Sequence, residues 1–424
     1  MRRVLAIGVL WAAAVFVGAC GEHRAQRTDA ELAAANDEFV ERLAAERAAF
    51  VKKMARRMKT ERDEYDAALA RGEAPAPPVF DVLIVSGGGD YGAFGAGFLQ
   101  GWGTIAEGTF KRPDFDVVTG VSTGALIAPF AFIGDNHSYE RVAHLYREPK
   151  KDWAVVKDIF FFLPWRESFL DVSGLQRDIA ASFDADVMKT IAAESKKDKL
   201  LGIGATNLDF TILRGFDAGA EAERAAETGD RERFYRILRA SSAIPGAFPP
   251  VMLDGDLYVD GGVVANIVYD ANARSPGSPT SVFRREYPGV PLPKIRLWVL
   301  VNNQLGGHPG VAQPTWTAVA ARSLAASIRA SVVASLRRLA LETYLARELE
   351  KIDMEMRFVA IPQEWKQAAD GMFMKETMES LARLGLQMGA DPKSWRTDEP
   401  RSRTIDRMLR EGGDPAQGDK TEVR

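Results

Sequence analysis

Cysteine is almost absent: the 424 residues contain one. No intrachain disulfide can form, and a zinc cage built on several thiolates is excluded. Histidine is scarce as well, and the four present (His23, His137, His144, His308) are too scattered to suggest a metal site. Neither sign of charge dominates: 55 Lys and Arg face 58 Asp and Glu, a formal net charge of −3. That balance gives no electrostatic basis for wholesale binding to nucleic acid. The apolar run from Val4 to Val17 is too short for a stable membrane span. What remains is ordinary globular composition, 46% hydrophobic and 27% charged, in a chain long enough to bury a large core.

Met1-Arg2-Arg3 gives the apolar run a cationic start, and Val17-Gly18-Ala19-Cys20 closes it with small residues. Residues 1–19 therefore read as a signal peptide. Its end resembles a bacterial lipobox, in which the cysteine, here Cys20, becomes the lipidated first residue of the mature protein. Gly21 stands where an aspartate would favour the inner membrane, so the resemblance implies a lipid anchor on the outer membrane, facing the periplasm. Several buried acyl CH₂ groups, at ~0.8 kcal/mol each, would hold it on a bilayer surface.

From Thr28 to about Ala70 the chain is highly charged and lacks Gly and Pro. Thr28-x-x-Glu31 has the form of a capping box. Leu32, Phe39, Leu43, Phe50, Met54, Met58, Tyr65 and Leu69 recur at spacings of four and seven, one apolar stripe on a long helix. The stripe has three possible destinations: the main domain, a partner protein, or solvent in a spacer. Residues 20–78, ending in a Pro-rich linker, form this tether. Residues 79–275 carry the core, with strand-like Asp81–Val85, Phe115–Thr119, Leu200–Ala205, Phe210–Arg214 and Leu257–Val259. Residues 276–395, with strands Ile295–Val301 and Arg357–Ile361 and helices Thr315–Ile352 and Met372–Met388, complete the same domain. Residues 396–424 are charged and weakly apolar, as in a disordered tail. Buried strands alternating with helices predict a three-layer α/β/α sandwich with a mainly parallel sheet.

Two glycine-bearing turns carry the chemistry. Gly120-Val-Ser122-Thr-Gly124 lies between a strand and an apolar helix, the context of a nucleophile elbow with Ser122 at its tip. Ser86-Gly87-Gly88-Gly89-Asp90-Tyr91-Gly92 follows the first strand and fits G-x-G-x-x-G. A dinucleotide site would need an acidic residue at the end of the second strand, and Gly120-Val-Ser122 stands there instead. The loop is therefore read as an oxyanion hole, with bare amides at the positive end of a helix. For a base, two residues are open. His308 would give the order Ser…Asp…His. Asp260, in Tyr258-Val-Asp260-Gly261-Gly262, ends a short strand where a carboxylate can reach a serine hydroxyl. The aromatic stretch from Trp153 to Phe169 suits either a buried core or an acyl-chain pocket.

Ser86-Gly-Gly-Gly-x-x-Gly92, Gly120-x-Ser-x-Gly124, Ala240-Ser-Ser-Ala-Ile-Pro-Gly-x-Phe-Pro-Pro250 and Asp260-Gly-Gly262, in that order, resemble the patatin-like phospholipase family. The likeness covers roughly residues 80–270. It implies an acyl hydrolase with a serine–aspartate dyad and no histidine: Ser122 as nucleophile, Asp260 as base, and the amides of Gly87, Gly88 and Gly89 as oxyanion hole. It implies a lipid ester substrate, phospholipid or lysophospholipid, and no metal or organic cofactor. The chain departs from the family at Asp90 and Tyr91, where an Arg or Lys is usual, so the cation for a lipid phosphate is missing from this loop. The rival expectation is a non-enzymatic envelope lipoprotein, its domain idle and its N-terminal helix recruiting a protein partner.

Overall fold

Strands rich in Val, Ile and Leu take up the centre, and helices cover them on both sides. The computed structural model describes residues 24–157, 167–307 and 309–397. Residues 1–23, with the segment 1–19 expected as a signal peptide and Cys20, residues 158–166 of the aromatic stretch, His308 and the residues beyond 397 lie outside the described residues. In chain order the strands are β1 (Val79–Val85), β2 (Val117–Val121), β3 (Val155–Val156), β4 (Leu170–Asp171), β5 (Leu200–Asn207), β6 (Ile212–Asp217), β7 (Val251–Leu253), β8 (Asp256–Asp260), β9 (Lys294–Val301) and β10 (Met354–Ala360). β3 and β4 pair as a small separate hairpin. The rest form one mixed sheet. β10, β9, β1, β2 and β5 run parallel in that order, and the antiparallel β8 and β7 continue beyond β5.

Alternation along β1 supplies two cores. Leu83 and Val85 face one layer with Phe94, Phe98 and Trp102 of the helix Gly92–Trp102. Phe80, Val82 and Ile84 face the other, with Met54 and Met58 of the helix Asp29–Ala70 and Leu336 and Leu339 of the helix Trp316–Glu348. Successive strand residues point to opposite faces, so a strand buried on both sides must be apolar throughout. The expected three-layer sandwich, with a long N-terminal helix, is what the chain forms.

That N-terminal helix packs on the domain rather than standing off as a spacer. Its capping box is complete: the Glu31 amide donates to Thr28 Oγ1 at 3.3 Å and the Thr28 amide to Glu31 Oε2 at 2.7 Å. Phe39 stacks on Phe210 with ring centroids 4.5 Å apart, and Met58 is fully buried. The stripe leaves the surface at both ends, where Leu32 and Leu69 are exposed. Ion pairs lock its flanks, Arg57 to Asp116 at 2.6 Å and Glu46 to Arg214 at 2.6 Å. Beyond β10, the Arg396 amide donates to the Phe358 carbonyl at 2.8 Å, one step of pairing inside the segment expected as tail.

If docking of this helix holds the second core together, Met58→Ala should lower unfolding stability by about 2–5 kcal/mol. Leu32→Ala, on the exposed end of the same stripe, should stay within ~0.5 kcal/mol. Urea unfolding of the two variants distinguishes a docked helix from a spacer, in which both would be silent.

Candidate active site

One edge of β5 is shared by two strands. β2 lies parallel along it from Val117 opposite Leu200 to Val121 opposite Gly204. β8 lies antiparallel along its last residues, from Tyr258 opposite Asn207 to Asp260 opposite Ala205. β6 takes the other edge, pairing Gly202 through Asn207. The C-terminal ends of β2 and β8 therefore meet head to head at the Gly204–Ala205 step. Ser122 is the next residue of the first strand, and Asp260 is the last of the second.

Ser122 occupies a left-handed backbone conformation, φ 55° and ψ −125°, and the helix Thr123–Ile133 starts immediately after it. A non-glycine residue held so costs of order 1–3 kcal/mol, so its surroundings must impose the turn. Gly120 and Gly124 allow it: a Cβ on Gly120 would collide with the Gly124 carbonyl, and one on Gly124 with the Val85 carbonyl. β2 runs two residues further than its sequence suggests, which makes Gly120 and Val121 strand residues. The Ser122 amide donates to Ser241 Oγ at 2.9 Å, and that hydroxyl donates to the Gly204 carbonyl at 2.6 Å. The Asp260 amide donates to the Ala243 carbonyl at 2.9 Å. The segment 240–250 thus pins the backbone of both residues, a role its motif does not reveal.

The Asp260 carboxylate is buried and accepts from the Gly262 amide at 2.7 Å. Burial pushes its pKa up to about 6, against the opposing pull of the neighbouring Ser122 hydroxyl and of the Gly262 amide. Gly261 packs on the Gly204 carbonyl at the strand junction. In the glycine loop, a Cβ on Gly87 would come within 3.1 Å of the Ser122 Cβ and run into Asn266. Gly88 and Gly89 line the same cleft as Ser122 and Asp260, while Gly92 packs on Thr123. Among the described residues no hydrogen bond takes the amides of Gly87, Gly88 or Gly89. The expected site residues are therefore brought together, apart from His308 and Cys20, which lie outside the described residues.

Two spaces open from Ser122. The larger is a cleft of about 1020 Å³ whose far wall is the first part of the helix Trp316–Glu348. The smaller, about 70 Å³, is apolar and lies between Leu126, Phe130, Phe183, Phe248 and Phe373. Trp153, the start of the aromatic stretch, lines this inner cavity, and Phe169, its end, lines the cleft.

Asp90 and Tyr91 have a visible task. The buried Asp90 carboxylate accepts the Phe373 amide at 3.1 Å, while burial raises its pKa to about 6 against the pull of nearby backbone amides. Tyr91 meets Trp365 edge-on at 5.3 Å and donates to Gln367 Oε1 at 3.3 Å. The glycine loop thereby docks the segment 365–373. The helix expected from Met372 begins only at Lys375, and Met372 and Phe373 instead wall the cleft and the inner cavity.

A strand–serine–helix turn with a glycine loop at the neighbouring strand end, on a three-layer α/β sandwich, defines a class of domain known for hydrolases. Residues 83–272 match the family model described as patatin-like phospholipase, and this stretch is a domain of that family. Calcium-independent phospholipase A2-gamma of Oryctolagus cuniculus is 26% identical over 196 residues, 44% of this chain and 24% of that protein. An uncharacterised protein of Acanthamoeba polyphaga mimivirus is 27% identical over 187 residues, 43% of this chain and 58% of that one. The chain thus spans between about a quarter and three fifths of the length of these relatives. The crystal structure of VipD from Legionella pneumophila aligns over 77% of this chain and 68% of that one, at 11% identity and a TM-score of 0.33.

Removing the Ser241 hydroxyl leaves a buried amide and a buried carbonyl unpaired, which costs about 1–3 kcal/mol. Ser241→Ala should therefore be less stable to urea by that amount and lose ester turnover, because the elbow is no longer tied to β5. Unchanged stability would show that the elbow does not depend on this bridge.

Proposed function

We propose that the protein is a serine acyl hydrolase that cleaves carboxylic esters of lipids, phospholipid or lysophospholipid, through a Ser122–Asp260 dyad. The observation that supports it best is the head-on meeting of β2 and β8, which gives one hydroxyl and one buried carboxylate a common cleft. Ser122 Oγ attacks the ester carbonyl as Asp260 takes its proton. Charge gathering on the carbonyl oxygen is met by the amides of the loop Gly87–Gly89. The alcohol leaves with the proton from Asp260, and the acyl group stays on Ser122. Water then attacks this ester, again giving its proton to Asp260, and the fatty acid departs as Ser122 regains a proton. The inner apolar cavity suits the acyl chain. A carboxylate of ordinary pKa near ~4 is a weak base, and the burial that raises Asp260 to about 6 improves it.

The tests use short-chain nitrophenyl esters and phospholipid vesicles. Ser122→Ala should fall to background and no longer react with a fluorophosphonate probe. Asp260→Asn should lose roughly 10²–10⁴-fold. Retained turnover in either variant overturns the dyad.

Asp260 also fixes the pH dependence. It must be ionised to act as base, so kcat/KM should fall tenfold per unit below about pH 6 and level off above it. Stability runs the other way. The fold penalises the ionised form, so wild type loses stability as pH rises from the unfolded value near ~4 toward 6. Asp260→Asn should escape this loss and melt higher than wild type above pH 6, with little difference below pH 4.

A further inference from the structure

Behind the glycine loop lie two fully buried polar side chains, Ser86 and Asn302, that the proposed chemistry leaves without a task. Ser86 follows β1 and Asn302 follows β9, two parallel neighbours with Val85 opposite Leu300. The ladder runs one step further, as the Ser86 amide donates to the Leu300 carbonyl at 2.9 Å. A continuing parallel ladder would next join the Asn302 amide to the Ser86 carbonyl. Side chains take both groups instead. The Asn302 amide donates to Ser86 Oγ at 2.9 Å, and Asn302 Nδ2 donates to the Ser86 carbonyl at 2.9 Å. The Ser86 hydroxyl in turn donates to the Gly87 carbonyl at 2.8 Å. The Asn302 carbonyl backs Gly88, where a Cβ would come within 2.1 Å of it.

These bonds fix two peptide planes. In a planar trans peptide the N–H points opposite to the C=O. With the Ser86 and Gly87 carbonyls held, the amides that follow them, on Gly87 and Gly88, are turned the other way. Gly87 is at the same time pressed against the nucleophile, since a Cβ on it would come within 3.1 Å of the Ser122 Cβ. The arrangement is not the one that stability alone favours. Among the described residues Asn302 Oδ1 is buried without a hydrogen-bond partner, a loss that an apolar side chain of the same shape would avoid. Local costs of this kind are expected where a site sets the geometry.

We infer that Ser86 and Asn302 are the positioning residues of the oxyanion hole, aiming the Gly87 and Gly88 amides at the ester oxygen by holding the carbonyls that precede them. The inference rests on the reading of Ser122 as an acyl-transfer nucleophile.

The test uses the full chain with Ser86→Ala or Asn302→Leu, which remove these side-chain bonds without adding charge. On short-chain nitrophenyl esters, kcat/KM per folded chain should fall roughly 10–100-fold, as expected when a group at the reacting centre is displaced by about 1 Å. A trifluoromethyl ketone reports the hole directly. Ser122 Oγ adds to its carbonyl, the serine proton passes to Asp260, and the carbonyl oxygen becomes the oxyanion. Its affinity should fall by the same factor, whereas the matching alcohol, which cannot form the adduct, should bind as it does to wild type. The acid limb of kcat/KM should stay near pH 6, because Asp260 keeps its surroundings. If one variant does not fold, the other carries the test. Variants that lose only folded fraction, with kcat/KM per folded chain and ketone affinity intact, overturn the inference, as does an equal loss for ketone and alcohol. A wild type that hydrolyses no ester and takes up no fluorophosphonate defeats the catalytic reading and the inference with it. Normal turnover by both variants of an active enzyme defeats the inference alone.

Discussion

The arrangement at the site depends on one hydrogen-bonding edge being divided between two strands. β2 and β8 cannot both continue along β5, because each would run into the other at the Gly204–Ala205 step. β2 must therefore leave the sheet abruptly, and the positive φ of Ser122 is the form that departure takes. The strain at the elbow is a consequence of topology before it is a feature of catalysis. The junction tolerates this crowding because Gly120, Gly124, Gly204 and Gly261 carry no side chains into it. Ser241 completes it by bridging the strand-end amide of Ser122 to the Gly204 carbonyl of β5.

The same edge explains why the sheet is mixed. A wholly parallel sheet would present only strand C-termini followed by helices on its functional side. Inserting the β7–β8 hairpin in the opposite sense brings a second C-terminal end to the same point from the other direction. A carboxylate at that end needs no long loop to reach the hydroxyl, so its position is set by ladder register rather than by loop flexibility. Register is rigid where both faces of a sheet are buried, and here both are.

Much of this is legible in the sequence because its signals are local. Buried parallel strands read as continuous apolar runs, and the glycine spacings around Ser122 and Asp260 reflect contacts within a few residues. The stripe on Asp29–Ala70 is legible for the same reason, but its destination is not. Phe210, Asp116 and Arg214, which receive Phe39, Arg57 and Glu46, lie far along the chain and carry no mark of it. Ser241 and Phe373 escape for a related reason: each acts through a partner more than 100 residues away. Some short helices carried a readable signal. Asn136–Arg147, Ala185–Ser195 and Ala218–Thr228 each open on an aspartate whose side chain accepts a first-turn amide. The buried residues of the first two also recur at helical spacing, as Tyr139, Val142, Ala143 and Tyr146 do.

Asp90 and Asp260 show how similar burial can serve opposite ends. Both carboxylates lie beside the cleft, and burial lifts both pKa values to about 6. Asp90 accepts the fixed backbone amide of Phe373, so its charge is committed to holding Phe373 and the loop against each other. Asp260 accepts one backbone amide and otherwise faces a hydroxyl that can give up its proton. An anion bonded only to a rigid amide has no proton to take, whereas one that also faces a serine hydroxyl has a mobile proton within its surroundings and little solvent to compete for it. The difference lies in the partner atoms rather than in the carboxylates. A second acid in the glycine loop, in place of the cation usual there, is thus compatible with the chemistry proposed for Ser122. It secures the segment 365–373 against the glycine loop.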